Sequence, residues 1–227
     1  MKISRITTLL AAFWLPLAVI AGINPQATFM EKDAETTDWK DISGDAPLHV
    51  KFEANATDLE EGSSVEWHLR HRTSGTSLTR YEEDFEFDFV EAGITDVEIQ
   101  LKMGDEVIEE KSITVTISES FLEMPNAFTP NDDGHNDYYQ AKTNYKSIVS
   151  FHAYIFNRWG QKLYEWTDYK EEKSGWDGKF NGQPVKDGVY FVLVKARGAD
   201  GREYNIRRDV NLLRRFNETT NTGGTNP

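Results

Sequence analysis

The chain has 227 residues, of which 38% are hydrophobic and 28% are charged. This length exceeds the ~100–150 residues of a common single domain, and the composition excludes a disordered chain and a membrane protein with many spans. The sequence has no cysteine, which excludes disulfides, thiol nucleophiles and zinc–thiolate sites. We therefore expect two soluble domains, each stabilised by its own hydrophobic core.

The net charge of −13 is unevenly distributed along the chain. Residues 22–120 contain 24 Asp and Glu against 8 Lys and Arg, a balance of −16, whereas residues 121–227 contain 14 against 15, a balance of +1. Nucleic acids and anionic membranes would be repelled by the acidic half, so neither is expected as a partner. A solvated surface explains these charges, and a site for a basic partner or a cation is the alternative.

The N-terminus has the pattern of a secretory signal peptide. Lys2 and Arg5 precede an apolar stretch at residues 6–20, which ends at the small residue Ala21. A basic start, a short apolar segment and a small residue at the cleavage point are typical of such peptides. We predict a signal peptide over residues 1–21 and no membrane insertion after its cleavage; a retained anchor helix is the alternative.

The next two regions differ in pattern. Residues 22–45 carry many charges and few β-branched apolar residues, which predicts a flexible leader. Residues 46–119 contain five segments that alternate apolar and polar residues, as strands with one buried face do. The apolar positions are Leu48, Val50 and Phe52; Val65, Trp67 and Leu69; Phe85, Phe87 and Phe89; Val97, Ile99 and Leu101; and Ile113, Val115 and Ile117. We predict a small β-sandwich.

The last region, residues 120–215, is rich in aromatic residues and in short turn sequences. Asn-Gly and Asp-Gly pairs favour the left-handed backbone of tight turns, and they occur at residues 177–178, 181–182 and 187–188. We predict about seven short strands in a second sandwich, followed by a disordered polar tail at residues 216–227. The expected fold is therefore all-β, with two immunoglobulin-like β-sandwich domains in tandem.

The first predicted sandwich resembles a PKD domain, which is an immunoglobulin-like surface module. The residues that carry the resemblance are Gly44, Pro47, Leu48, Val50 and Phe52 in the opening strand, Trp67 at the position of the core tryptophan, and Phe89, Gly93 and Val97 at the turn into a late strand. Because Trp67 lies on an alternating strand, we expect it to pack in the core rather than to bind a ligand.

The second predicted sandwich resembles the gliding-motility-associated C-terminal domain, the type B sorting signal of the type IX secretion system. The matching segments are MPNAFTPNDDGHND at residues 124–137, IFNRWGQ at 155–161, WDG at 176–178, Gly182, and GVY at 188–190. Two features depart from the family pattern. Asp132 stands where the family commonly has glycine, and the chain continues for about a dozen residues after the last predicted strand.

The resemblance implies an exported protein of a Bacteroidota-type cell envelope, which crosses the periplasm and then reaches the outer-membrane surface or the medium. Its expected partners are the type IX translocon or shuttle proteins. The surface that they recognise is expected to include Arg158, Trp159 and Gly160, together with Trp176, Asp177 and Gly178. A core position is the other explanation for these aromatic residues.

The small size of the protein suggests a finer interpretation. A secreted chain with little besides its sorting domain resembles a PorA-like component of the type IX system, which implies a sensor histidine kinase as a further partner. The alternative is a cell-surface adhesin or a glycan- or protein-binding module, in which the loops of the first domain contact the ligand.

The segment at residues 131–137 is the one candidate metal site. It contains five Asn or Asp residues and a glycine, and Ca²⁺ prefers oxygen ligands of this kind. Asn131, Asp133 and Asp137 are the leading candidate ligands. Side chains that cap backbone amides within a turn would explain the same composition. No bidentate glutamate follows the segment, unlike in a complete EF-hand loop.

The sequence predicts no enzymatic activity. Its five histidines show no HExxH pattern, and no serine lies in a G-x-S-x-G turn. The paired carboxylates, such as Glu60 with Glu61, are adjacent on an acidic chain, and neighbouring residues of a strand point to opposite faces.

Overall fold

The computed structural model describes residues 21–31, 34–171 and 173–214. The predicted tail lies outside the described residues, as does the predicted signal peptide apart from Ala21. The described chain is all-β, and within it no helix is long and apolar enough to span a membrane. The all-β prediction with two sandwich-like domains is confirmed.

The first domain contains nine strands in the described residues. They are β1 (Gln26–Glu31), β2 (Ala34–Asp38), β3 (Ile42–Gly44), β4 (Leu48–Glu53), β5 (Ser63–His71), β6 (Ser77–Arg80), β7 (Asp84–Phe89), β8 (Gly93–Met103) and β9 (Glu106–Ile117). One sheet has the order β2-β1-β4-β7 and the other the order β3-β9-β8-β5-β6. The alternation of the five predicted segments therefore places β4, β5, β7, β8 and β9 correctly.

The core of this domain is centred on Trp67. Its indole ring is fully buried and lies 5.6 Å from the ring of Phe52 and 5.4 Å from that of Phe85. The indole N–H donates to the carbonyl oxygen of Glu82 at 3.1 Å, which satisfies the one polar atom of the ring. Trp67 is thus a core residue.

The prediction of a flexible leader at residues 22–45 is wrong. This region forms β1, β2 and β3, and β1 pairs antiparallel with β4 while β3 pairs parallel with β9. The reason is that Ala27, Phe29 and Ile42 are buried in the core of the first domain, whereas the charged residues Glu35, Asp38, Lys40 and Asp41 are exposed. The first domain therefore begins before residue 46.

The second domain contains seven strands in the described residues. They are β10 (Ala127–Phe128), β11 (Ile148–Phe156), β12 (Lys162–Trp166), β13 (Lys179–Phe180), β14 (Gln183–Pro184), β15 (Gly188–Gly198) and β16 (Glu203–Leu212). A five-stranded sheet has the order β10-β16-β15-β11-β12, and β13 and β14 form a short hairpin. The buried face of the large sheet packs against irregular segments, which contribute Leu122, Met124, Tyr139 and Trp176 to the same core.

The two domains are joined by hydrogen bonds around Ser147, a residue that is 2% exposed. Its hydroxyl accepts a hydrogen bond from the backbone N–H of Ala46 at 3.0 Å and lies 2.8 Å from the hydroxyl of Ser118. Its carbonyl accepts from the N–H of Ala199 at 2.9 Å, and the carbonyl of Ala199 accepts from the N–H of Ala92 at 3.0 Å. These bonds fix one domain against the other.

We expect Ser147→Ala to weaken this junction. The variant leaves the buried N–H of Ala46 without its acceptor, which costs about 1–3 kcal/mol of unfolding free energy. Hydrogen exchange monitored by NMR should show faster exchange of the Ala46 amide in the variant, and Ser150→Ala, at an exposed position of β11, should leave that rate unchanged. An unchanged rate in Ser147→Ala would contradict the assignment.

Candidate functional site

The turn between β11 and β12 presents two large side chains to solvent. The side-chain oxygen of Asn157 accepts hydrogen bonds from the N–H groups of Trp159 and Gln161, both at 3.0 Å. Gly160 adopts a φ of +80°, a left-handed conformation that glycine tolerates best. These hydrogen bonds and the conformation of Gly160 place Arg158 and Trp159 at the tip of the turn.

Trp159 is the most exposed aromatic side chain of the second domain among the described residues, at 76% of its full exposure. The guanidinium carbon of Arg158 lies 4.3 Å from the centre of the indole ring. Such a cation–π contact stabilises an exposed pair by about 0.5–1 kcal/mol. The contact restricts both side chains, so less entropy is lost when a partner binds them.

A groove of about 400 Å³ lies beside this turn. Trp159 and Arg158 form part of its wall, and the apolar side chains of Leu163, Val185 and Val189 also line it. Val189 is exposed, although it belongs to β15. The groove therefore continues the apolar surface of Trp159 toward the large sheet.

The solvent-facing side of the large sheet is also apolar near the turn. Phe156 of β11 lies opposite Phe191 of β15, and Tyr154 lies opposite Leu193. Phe191 is exposed, and the other three side chains are half-buried. Sequence reasoning missed this surface. A strand with one solvated face normally alternates apolar and polar residues, so the uninterrupted apolar run from Val189 to Val194 is the signal that indicates it. We call Phe156, Trp159, Val189 and Phe191 the aromatic surface.

Trp176, Asp177 and Gly178 lie in a different environment. The indole of Trp176 is fully buried, and its N–H donates to the carbonyl of Lys179 at 2.8 Å. Gly178 has a φ of +73°, and a Cβ atom there would lie 2.9 Å from Arg214. Trp176 is therefore inaccessible to a partner in this fold. Trp176, Asp177 and Gly178 stabilise the domain, whereas Arg158 and Trp159 face the solvent.

The loop at residues 131–137 is held together by Asp137. One carboxylate oxygen accepts hydrogen bonds from the N–H groups of Asn131 at 3.0 Å and Asp132 at 2.7 Å, and the other accepts from Gly134 at 2.9 Å. Asp132 adopts a φ of +63°. This explains the departure from the family pattern, because aspartate tolerates the left-handed region in which glycine is preferred.

Asp133 completes the loop. Its carboxylate accepts a hydrogen bond from the side-chain amide of Asn131 at 2.8 Å and one from the N–H of His135 at 2.9 Å. The carboxylate oxygens proposed for Ca²⁺ thus all accept hydrogen bonds from the loop itself. In the described part of the chain, no group of three or more His, Cys, Asp or Glu residues has the arrangement of a metal site.

These hydrogen bonds predict a pH dependence. The amide of Asn131 and the N–H of His135 lower the pKa of the Asp133 carboxyl below its ordinary value of 3.8. A depressed folded-state pKa adds stability above the unfolded-state value, and this stability is lost as the pH falls through the folded-state value. Urea unfolding should therefore show that Asp133→Asn destabilises the protein at pH 7 and has a smaller effect at pH 2.

The matched control for this experiment is Asp105→Asn, at an exposed turn of the first domain. It should not reproduce the loss at pH 7. If Asp133→Asn lowers the unfolding free energy equally at both pH values, the carboxylate charge does not stabilise the loop.

Comparison with known proteins gives one family and two structures. Residues 122–207 match the model of the CHU_C type IX secretion signal domain. No curated protein matches the chain. One similar structure is a tetra-tandem repeat in the extending region of a large adhesion protein, with 10% identity, a TM-score of 0.30 and coverage of 87% of this chain and 58% of that one.

A second similar structure is the Bacteroides ovatus SGBP-B of a mixed-linkage glucan utilization locus, in complex with a mixed-linkage heptasaccharide. The identity is 14% and the TM-score 0.28, with coverage of 77% of this chain and 43% of that one. This chain therefore spans less than two thirds of the length of either structure. Neither similarity bears on function.

The family match coincides with the structural unit described above. The matched residues include the loop at residues 131–137, the exposed turn and the buried Trp176. They also contribute most of the side chains of the second hydrophobic core. The second domain of this chain is therefore a type IX secretion signal domain of the CHU_C family.

Proposed function

We propose that this chain is a non-enzymatic exported protein whose second domain is recognised by the type IX secretion machinery through the aromatic surface. The family match at residues 122–207 carries the secretion role. The exposed turn with Arg158 and Trp159 supports the choice of surface. In this proposal a signal peptide directs the chain to the periplasm, and the second domain then directs it to the outer-membrane surface or the medium.

The chemistry of the aromatic surface suits protein recognition. Tryptophan and arginine are enriched among the residues that dominate binding energy at protein interfaces. Trp159 and Arg158 are already in contact, and Val189 and Phe191 extend the apolar area beside them. Contiguous exposed apolar area of this kind commonly marks an interaction site. The expected partner is a translocon or shuttle protein.

We expect Trp159→Ala to reduce export of the full chain. Loss of a tryptophan that dominates an interface costs about 2 kcal/mol or more of binding free energy, so the surface-exposed fraction should fall about tenfold or more. The measurement is protease accessibility of the chain on intact cells of a host with a type IX system, with total protein as the reference.

Tyr81→Ala is the matched control, because Tyr81 is 70% exposed and lies in the first domain. Its export should equal that of the unchanged protein. Circular dichroism of both variants separates lost recognition from lost folding. Normal export of Trp159→Ala would exclude the aromatic surface as the recognition site, and the family assignment would remain.

The proposal includes a signalling role toward a sensor histidine kinase. It rests on the resemblance to a PorA-like component of the type IX system. In this model, deletion of the gene should lower the transcripts of the secretion genes at least twofold, and the unchanged gene should restore them. Unchanged transcripts, with normal secretion of other cargo proteins, would exclude the signalling role.

A further inference from the structure

The first domain has an open cleft at one lateral edge, between β6 and β7. Each of these strands is the last strand of its sheet, so the two sheets are not closed over each other there. The cleft has a volume of about 140 Å³. Its apolar wall is formed by Leu69, Leu78, Phe87 and Phe89, and polar residues, among them His71 and Glu91, line the rest. It lies in the acidic domain, far in sequence from the secretion signal.

The cleft suits one apolar side chain. Leu69 and Phe89 are 3% exposed and form its apolar floor, while Leu78 and Phe87 are half-buried at its mouth. An apolar cavity of about 150 Å³ is large enough for a ligand the size of benzene. A valine, leucine or isoleucine side chain therefore fits.

The edge of β7 offers backbone groups beside this cleft. The N–H of Ala54 donates to the carbonyl of Glu83 at 3.0 Å, and hydrogen-bonded pairs alternate along an antiparallel ladder. Since β4 pairs with β7 in continuous register, the backbone groups of Asp84, Glu86 and Asp88 point away from β4. They lie on the open edge, where an extended peptide can pair.

The side chains along this edge define the charge of the partner. Asp84, Glu86 and Asp88 are all exposed, and they lie on the face of β7 opposite the three phenylalanines. His49 contacts Asp88 at 2.8 Å and lies 3.7 Å from Glu86. A second copy of β7 would place like charges opposite one another, which is destabilising. A basic strand would place opposite charges there.

We propose that β7 binds an extended segment of a partner protein in which lysine or arginine alternates with aliphatic residues. The segment adds a strand to the edge of the sheet. Its basic side chains lie beside Asp84, Glu86 and Asp88, and one aliphatic side chain enters the cleft between Leu78 and Phe87. This site is independent of the secretion signal.

The test uses the purified mature chain and a blocked heptapeptide that alternates four lysines with three valines. Calorimetric titration should show binding at least tenfold tighter than that of a peptide with glutamate in place of lysine. Replacing the three valines by threonine, which has nearly the same shape, should also weaken binding, because a hydroxyl is poorly accommodated in an apolar cleft. Equal binding of the lysine and glutamate peptides would overturn the proposal.

Charge-reversal variants distinguish specific binding at β7 from a general attraction of basic peptides to the acidic domain. Asp84→Lys with Glu86→Lys should weaken the lysine peptide at least tenfold and strengthen the glutamate peptide. The control, Glu60→Lys with Glu61→Lys, makes the same change in net charge at exposed loop positions and should alter binding less than twofold. If both pairs weaken binding equally, the attraction is unspecific and the proposal fails.

Hydrogen exchange of the unchanged protein gives a second test, which does not depend on how the variants fold. The lysine peptide should slow exchange of the amides of Asp84, Glu86 and Asp88, because these groups donate to the added strand. Amides of β12, an edge strand of the large sheet in the second domain, should not change. Protection elsewhere without protection of β7 would also overturn the proposal.

Discussion

The indole of Trp176 is the point at which separate segments of the second domain meet. Its ring centre lies 5.3 Å from that of Phe128 and 5.0 Å from that of Tyr190. Its backbone N–H donates a hydrogen bond to the carbonyl of Tyr139, and its carbonyl accepts one from the N–H of Tyr139. Without a disulfide to join these segments, their relative positions depend on this packing. The layer that packs against the large sheet consists mostly of irregular segments. Trp176 anchors these segments to the sheet.

This arrangement divides the signature residues of the secretion signal domain into two groups. Trp176 and Gly178 form the interior, where burial of a large aromatic ring stabilises the domain. Arg158 and Trp159 lie at a turn whose backbone is fixed by Asn157, and their side chains contribute little to the core. A short turn does not need an exposed tryptophan for its own stability. In our proposal, the outer group is therefore the one that contacts the partner.

Much of the fold could be predicted from sequence, because one-sided burial leaves an alternating pattern. Phe85, Phe87 and Phe89 show it plainly. The pattern is weaker at β1, where Ala27 and Phe29 are the only two deeply buried side chains of the strand, and for this reason the sequence predicts a leader there. Parallel pairing of β3 with β9 joins residues more than seventy positions apart, and no local pattern encodes such a contact.

The candidate sites were predictable to a smaller extent, since burial of an aromatic residue outside a strand has no periodic signal. Trp159 and Trp176 both stand next to turn-forming residues in the sequence, yet one is exposed and the other is enclosed. The difference arises from Tyr139 and Phe128, which reach Trp176 across the fold. Likewise, Asp137 resembles a calcium ligand in sequence, and only the geometry reveals that loop amides occupy its oxygens.

The two surfaces differ in chemistry in a way that follows from the charge distribution. The edge of β7 is acidic, and we therefore propose a basic extended segment as its partner, whereas the aromatic surface is apolar with Arg158 at its border. A basic segment suited to the edge of β7 would meet the like charge of Arg158 at the aromatic surface. The hydrogen bonds around Ser147 hold the two domains together. In our two proposals, the chain engages the secretion machinery through the second domain while the edge of β7 in the first domain remains open for a different protein.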